Sequence, residues 1–321
     1  MVKRALLIGI NYVGSNSKYQ LSGCVNDVNN MSKFLKTYLG YENKNIVILT
    51  DYKSTKPTKS NILKAFNSLI ASLKKGDEAF FHYSGHGLNI PDYNKDEESG
   101  FDSAIAPSDF TKSGFISDDV IRTNLIQKVP SGANLYVVID ACHSGTMCDL
   151  RNKYDDSSYL LKNTSVLPTT YNPSDWALRQ TMYEFTKYNN TAGKAFYIAG
   201  CQDEQTSADA YIKSEKTYNG ALTYILLSLL KSNNLATYNW KNLLKDICCN
   251  EKIQGYTQRT AISSGQPLNM DSAVFTLPLA SAKVKVSIPP KKKMLVNVNY
   301  KIMKKNTIMK KNTIMKKMLF C

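Results

Sequence analysis

Apolar residues in this chain fall in short unbroken runs separated by longer amphipathic stretches. RALLIGI (4–10), NIVILT (45–50), EAFFHYS (78–84), LYVVIDA (135–141) and KAFYIAG (194–200) are each too short for a core helix and rich in β-branched and aromatic residues, so each predicts a strand. Their hydrophobicity is continuous rather than alternating, which is the mark of a parallel sheet buried on both faces. Helices are predicted over 23–39, 58–74, 117–128, 219–231 and 239–249. In the first, Val25, Val28, Met31, Phe34, Leu35 and Leu39 recur at helical spacing and Gly40 supplies a stop. A last strand is expected near 273–277. Strands alternating with helices give an α/β fold, a mostly parallel central sheet with helices on both faces.

The pattern weakens between 145 and 193 into Asp, Ser, Asn, Thr and Tyr, which predicts a long, partly mobile connection. After Pro289 and Pro290 it changes again: IMKKNT occupies 302–307, repeats at 308–313 and starts once more at 314. A six-residue repeat in so few copies cannot bury a core, so 281–321 reads as a basic, disordered tail outside a folded unit of 1–280. Charge supports this division. The net charge is +15, but twelve lysines and no acid lie from Ser281 onward, leaving the body at +3. The charge therefore gives no nucleic-acid footprint on the folded unit, and no nucleic-acid partner is required. Seven cysteines, without regular spacing or a CxxC pair, indicate neither a disulfide framework nor a zinc site. No apolar run reaches the ~18 residues of a membrane span, and the N-terminal run lacks a signal-peptide cleavage pattern, so a reducing cytoplasmic setting is expected.

Chemistry in a parallel sheet gathers outside the carboxyl ends of its strands. EAFFHYS runs into GHG and LYVVIDA runs into CHSG, which places His86 and Cys142 at two such ends. A right-handed crossover would set those ends side by side. A thiol and an imidazole so placed form a nucleophile and base: the thiolate attacks a carbonyl, and the imidazole protonates the leaving amine and later activates water. The turn CHSG is expected to open a helix whose free N–H groups favour the thiolate. The Gly87 and Cys142 N–H groups are candidates for the oxyanion hole. His82, inside its strand, reads as a core histidine, and His143 as a poor partner because neighbouring side chains at a strand end diverge.

KRALLIGINYVG, LSGCVNDVNNM, FFHYSGHG, VVIDACHSG and YIAGCQDEQTSADA, in this order, resemble the metacaspases, caspase-fold cysteine peptidases. The resemblance implies a large-subunit-like region over about 1–150, a connection over about 151–193 and a small-subunit-like region over about 194–280. It resembles the compact type I arrangement, with no recognisable prodomain ahead of it. It further implies cleavage of protein or peptide substrates after Arg or Lys by a monomer, with Asp27, Asp140, Cys24 and Ser84 forming the pocket. Two carboxylates beside a nucleophile suit a guanidinium or ammonium group. An activating Ca2+ is implied on Asp102, Asp118, Asp119 and Asp149, a set of hard oxygen donors; Asp118 and Asp119 also suit a helix start on their own. DYNKDEES (92–99) has ligand-type residues but no EF-hand pattern and reads as a surface loop. Self-processing is implied, with Arg179, Lys187 and Lys194 as candidate positions, and Cys201 is a weak candidate for a second nucleophile. The rival readings are a caspase-fold interaction protein with little activity and an adaptor acting through the basic tail.

Overall fold

The computed structural model describes residues 1–95, 97, 99–157, 176–183, 191–212 and 215–275. The basic tail and Lys187 lie outside them. Its strands are β1 (Lys3–Gly9), β2 (Ile46–Thr50), β3 (Glu78–Ser84), β4 (Gly87–Pro91), β5 (Phe101–Ile105), β6 (Ile116–Ser117), β7 (Asn134–Asp140), β8 (Asn152–Asp156), β9 (Leu178–Met182), β10 (Lys194–Ala199), β11 (Asp209–Ile212), β12 (Thr217–Gly220) and β13 (Ala261–Ser264). The helices are α1 (Cys24–Leu39), α2 (Lys59–Ile70), α3 (Phe110–Ser113), α4 (Asp118–Ile121), α5 (Ala221–Ser232) and α6 (Trp240–Ile253).

Eight strands form the central sheet in the order β2-β1-β3-β7-β10-β13-β8-β9. The five strands predicted from continuous apolar runs are its parallel half, β2 to β10. Alternate residues of these strands feed two cores. Leu6, Ile8, Phe81 and Val137 face Ile62 and Phe66 of α2, whereas Ala5, Leu7, Phe80 and Val138 face α1, α5 and α6 through Phe34, Leu226 and Leu243. With both faces covered, the middle positions of β1, β3 and β7 are buried on either side, which is why their runs are unbroken.

Three expectations are corrected. Over 273–275 no strand forms, Ala273 making only an isolated bridge to Asn239, and 276–277 lie outside the described residues; among the described residues the last strand is β13, whose AISS has too few large apolar residues to stand out. The connection after 150 carries two strands, β8 and β9, which pair antiparallel at the sheet edge. LRQTM of β9 is polar because β9 forms the sheet edge, whereas NKYDD of β8 lies between β13 and β9 with all five residues buried, Asp155 and Asp156 being held in ion pairs with Arg179 and Lys252. Residues 141–149 make turns and bends, so no helix opens after Cys142.

Candidate active site

The parallel pairing of β3 with β7 sets Ser84 opposite Asp140. Two residues beyond each strand come His86 and Cys142, and the backbone of Gly87, next to His86, packs against that of Cys142. A Cβ added to Gly87 would stand 1.9 Å from the Cys142 carbonyl oxygen, so only glycine permits this approach. His86 is 3% exposed and Cys142 fully buried.

Contacts that no motif announces fix His86. Its Nε2–H donates to the Tyr19 carbonyl at 2.8 Å, which leaves Nδ1 as the ring's basic nitrogen. Its backbone is clamped by two buried tyrosines: the His86 N–H donates to the Tyr12 hydroxyl at 2.9 Å and the Tyr83 hydroxyl donates to the His86 carbonyl. The Tyr12 ring lies 4.6 Å from the imidazole. Tyr12 sits at φ +56°, a left-handed conformation rare outside glycine, and this turns its ring onto the site. Burial raises the pKa of both tyrosines, so they act as neutral hydrogen-bonding groups. Cys24 opens α1 within electrostatic reach of the same two phenols.

The sulfur of Cys142 accepts the Ser207 N–H at 3.2 Å. The N–H donor beside the sulfur therefore comes from residues 200–208, not from a helix following CHSG. His143 turns away, donating from Nδ1 to the Asp203 carbonyl. His82 donates to or accepts from Thr223 at 3.1 Å, and burial lowers its pKa to about 3, so it stays neutral inside the core. Burial, and then the neighbouring Cys142, push the Cys201 thiol well up, which disfavours the thiolate a nucleophile needs.

Asp27 and Asp140 form a buried pair, 0% and 3% exposed. An unsatisfied buried carboxylate costs several kcal/mol, so donors are required. Asp27 accepts the Ser84 hydroxyl at 2.7 Å and the Gly220 N–H at 2.9 Å; Asp140 accepts the Ser207 hydroxyl at 2.6 Å and the Thr223 N–H at 2.8 Å. Burial and then the Asp140 charge hold Asp27 well above the ordinary carboxylate range. Gly220 is wedged between the two: a Cβ there would lie 2.2 Å from Asp140 Oδ2 and 2.8 Å from Asp27 Oδ2. Asp209, paired with Gly220 across β11 and β12, adds a third carboxylate that also raises Asp27. Ser207, Gly220 at the end of β12, Thr223 in α5 and the acid Asp209 lie far along the chain from Asp27, so only the folded topology reveals them.

The second acidic group also gathers, with a change of membership. Carboxylate oxygens of Glu97, Asp118 and Asp149 lie within 4.8 Å of one another. Asp102, 7% exposed, is close enough to raise the pKa of Asp118, after burial and Asp149. Asp119 stands at the rim and accepts the Asn94 side-chain amide at 2.7 Å. Asp118 is both cap-proximal and clustered: it begins α4, and its carboxylate accepts the N–H groups of Ser103 and Asp119. The loop around 92–99 is more than surface. Asp92 accepts the Lys95 and Glu97 N–H groups and curls the chain so that Glu97 meets the aspartates. Mutually repelling buried carboxylates with oxygen donors at this spacing fit a hard cation such as Ca2+.

Among the described residues, no helix is long and apolar enough to cross a membrane. In fold the chain resembles the crystal structure of protein GSU0716 from Geobacter sulfurreducens, with a TM-score of 0.57 at 23% identity, covering 86% of this chain and 99% of that one. In sequence it is 35% identical over 295 residues to Metacaspase-1A of Aspergillus oryzae, covering 83% of this chain and 68% of that protein. It is 34% identical over 304 residues to Metacaspase-1 of Pyricularia oryzae, covering 86% and 74%. The family model for the metacaspase peptidase C14 domain matches residues 3–151, the span that carries both strand ends and both acidic groups. The caspase-like α/β fold and the relatives of this length agree, and the chain belongs to the metacaspases, a family of cysteine-type peptidases.

Proposed function

We propose that this protein is a calcium-stimulated cysteine endopeptidase that cuts peptide bonds after Arg or Lys through a Cys142–His86 dyad. The observation that carries the reading is the Asp27–Asp140 pair held beside the nucleophile turn, with Ser207 bonded to both Asp140 and the Cys142 sulfur. A cationic side chain entering there would meet two carboxylates already oriented by Ser84, Ser207, Gly220 and Thr223, with Cys24, three residues before Asp27 on α1, as the remaining pocket residue. In the reaction His86 Nδ1 takes the thiol proton, the Cys142 sulfur attacks the carbonyl carbon, and the proton passes to the leaving amine. The N–H groups of Gly87 and Cys142 are the assigned oxyanion donors. Water activated by His86 then hydrolyses the thioester.

Glu97, Asp118 and Asp149 would hold Ca2+, with Asp102 behind them and Asp119 at the rim. Bound calcium would supply the positive charge that lets these carboxylates ionise together. For self-processing, Arg179 is an unfavourable position, because it lies in β9 and forms a two-pronged ion pair with Asp155 at 2.7 and 2.5 Å. Lys194 begins β10 inside the sheet. Of the three candidates, Lys187 is therefore preferred. The protein is proposed to act as a cytoplasmic monomer on protein substrates.

Cleavage of a peptide library by the wild type and Cys142→Ala, each with calcium and with chelator, tests this reading. The expected result is cleavage after Arg and Lys by the wild type alone, depressed by chelator. Cleavage by Cys142→Ala, or a preference for other residues, would overturn it.

A further inference from the structure

Behind the acid pair lies a second layer of polar residues that no motif marks. Residues 200–208 leave β10 and reach the site at Ser207. Both ends of this segment are tied by one side chain: Gln258 donates from Nε2 to the Gly200 carbonyl at 2.9 Å and accepts the Ala208 N–H on Oε1 at 3.0 Å. Gln258 is in turn seated on Glu251 of α6. Glu251 Oε1 accepts Gln258 Nε2–H at 3.3 Å and the Thr260 hydroxyl at 2.6 Å, and Oε2 accepts the Thr260 N–H at 3.2 Å. Glu251 and Gln258 are each 1% exposed.

A carboxyl is an expensive foundation at this depth, and an apolar residue would fill the space at lower cost. What Glu251 adds is direction. A carboxylate offers only acceptors, so it draws the NH2 end of the Gln258 amide toward itself and Gly200 and leaves the carbonyl end for the Ala208 N–H. We infer that Gln258, oriented by Glu251, is a positioning residue for hydrolysis: it fixes 200–208 so that Ser207 presents its N–H to the Cys142 sulfur and its hydroxyl to Asp140. The inference rests on the Cys142 reading above.

The titratable groups around Glu251 are Asp140 and Cys248, and Cys248 in turn faces Cys249 and the ion pair of Asp156 with Lys252. Burial raises the Glu251 carboxyl to about 8, against the pull of its three donors. Those donors favour the ionised form, so the support tightens as pH rises through that value and loosens below it.

Two variants of the full chain test the inference, with an arginyl amide as substrate. Gln258→Met keeps the length and volume of the side chain but neither hydrogen bond. Its kcat is expected to fall about tenfold, the effect of losing one or two hydrogen bonds that hold the segment. The pH midpoint for iodoacetamide alkylation of Cys142, read by mass spectrometry of its peptide, is expected to move upward, because the Ser207 N–H no longer steadies the thiolate. Glu251→Gln cannot ionise, so the wild-type to variant ratio of kcat is expected to rise as pH passes about 8. A Gln258→Met protein that melts lower yet keeps its kcat and alkylation midpoint would overturn the inference, as would a kcat ratio for Glu251→Gln that is flat with pH. Activity surviving in Cys142→Ala would instead mark failure of the nucleophile assignment, a separate result.

Discussion

The two acidic groups of this molecule have similar composition and different construction. Asp27 and Asp140 stand on regular elements, α1 and the end of β7, and their donors come from β3, β12, α5 and Ser207. The other group is assembled from irregular chain: Glu97 in a loop curled by Asp92, Asp118 at the start of a four-residue helix, and Asp149 at φ +44°. Side chains on packed helices and strands hold their geometry without a ligand, whereas a loop-built site has its geometry completed by what it binds. In the function proposed above, the first group would be a permanent receptor and the second a conditional, cation-dependent element.

Breaking the permanent group should cost most. Gly220→Ala would push a methyl group into both carboxylates, and kcat/KM for an arginyl amide is expected to drop about a hundredfold, equivalent to about 3 kcal/mol of disrupted buried charge pairing. A kcat/KM within a few-fold of the wild type would show that the pair is not under steric control of Gly220. Next in size is an acid-side loss. Because the Asp27 carboxyl is raised, it takes up a proton above the ordinary carboxylate range, and recognition of a cationic side chain fades as pH falls through that point. The pH profile of kcat/KM is expected to show this inflection, and Asp27→Asn to abolish it; the same inflection in the variant would assign it to another group. The smallest effect sharpens the conditional side. Glu97→Gln removes one charged ligand and is expected to raise the calcium concentration for half-maximal activity several-fold, at a cost of about 1 kcal/mol. An unmoved midpoint would exclude Glu97 from the cation site.

The two groups also differ in how far they could be read from the sequence. Cys142 and His86 are legible because each follows a strand with a strong apolar run and a parallel sheet brings strand ends together, whereas the pocket role of Asp27 and Asp140 comes from the resemblance of the motifs that hold them. Glu97 is not legible because a loop's path depends on Asp92 and two backbone N–H groups, which leave no periodic trace. Tyr12, Tyr19, Ser207, Gly220, Thr223 and Asp209 escaped for a related reason: their partners lie across the fold, and nothing local in QTSADA or YNGA states which carboxylate or sulfur they will meet. The expected helix after CHSG failed because the N–H donor arrives from Ser207 instead, so the turn has no need to start one. Strands β8, β9 and β13 leave little trace in the sequence because they are short and carry few large apolar residues; β9 is an exposed edge, and β8 keeps its buried charges through ion pairs formed across the fold.

The central claim is that a pair of buried carboxylates beside Cys142 selects a positive side chain at the cleaved position. Its most direct measurement compares two peptides that differ only by arginine or citrulline there, a charged group and its neutral isostere, cut by the wild type and by Asp140→Asn. The account predicts that the wild type prefers arginine by about a hundredfold, roughly 3 kcal/mol, and that most of this preference is lost in the variant. Equal cleavage of the two peptides by the wild type, or an undiminished preference in Asp140→Asn, would contradict it.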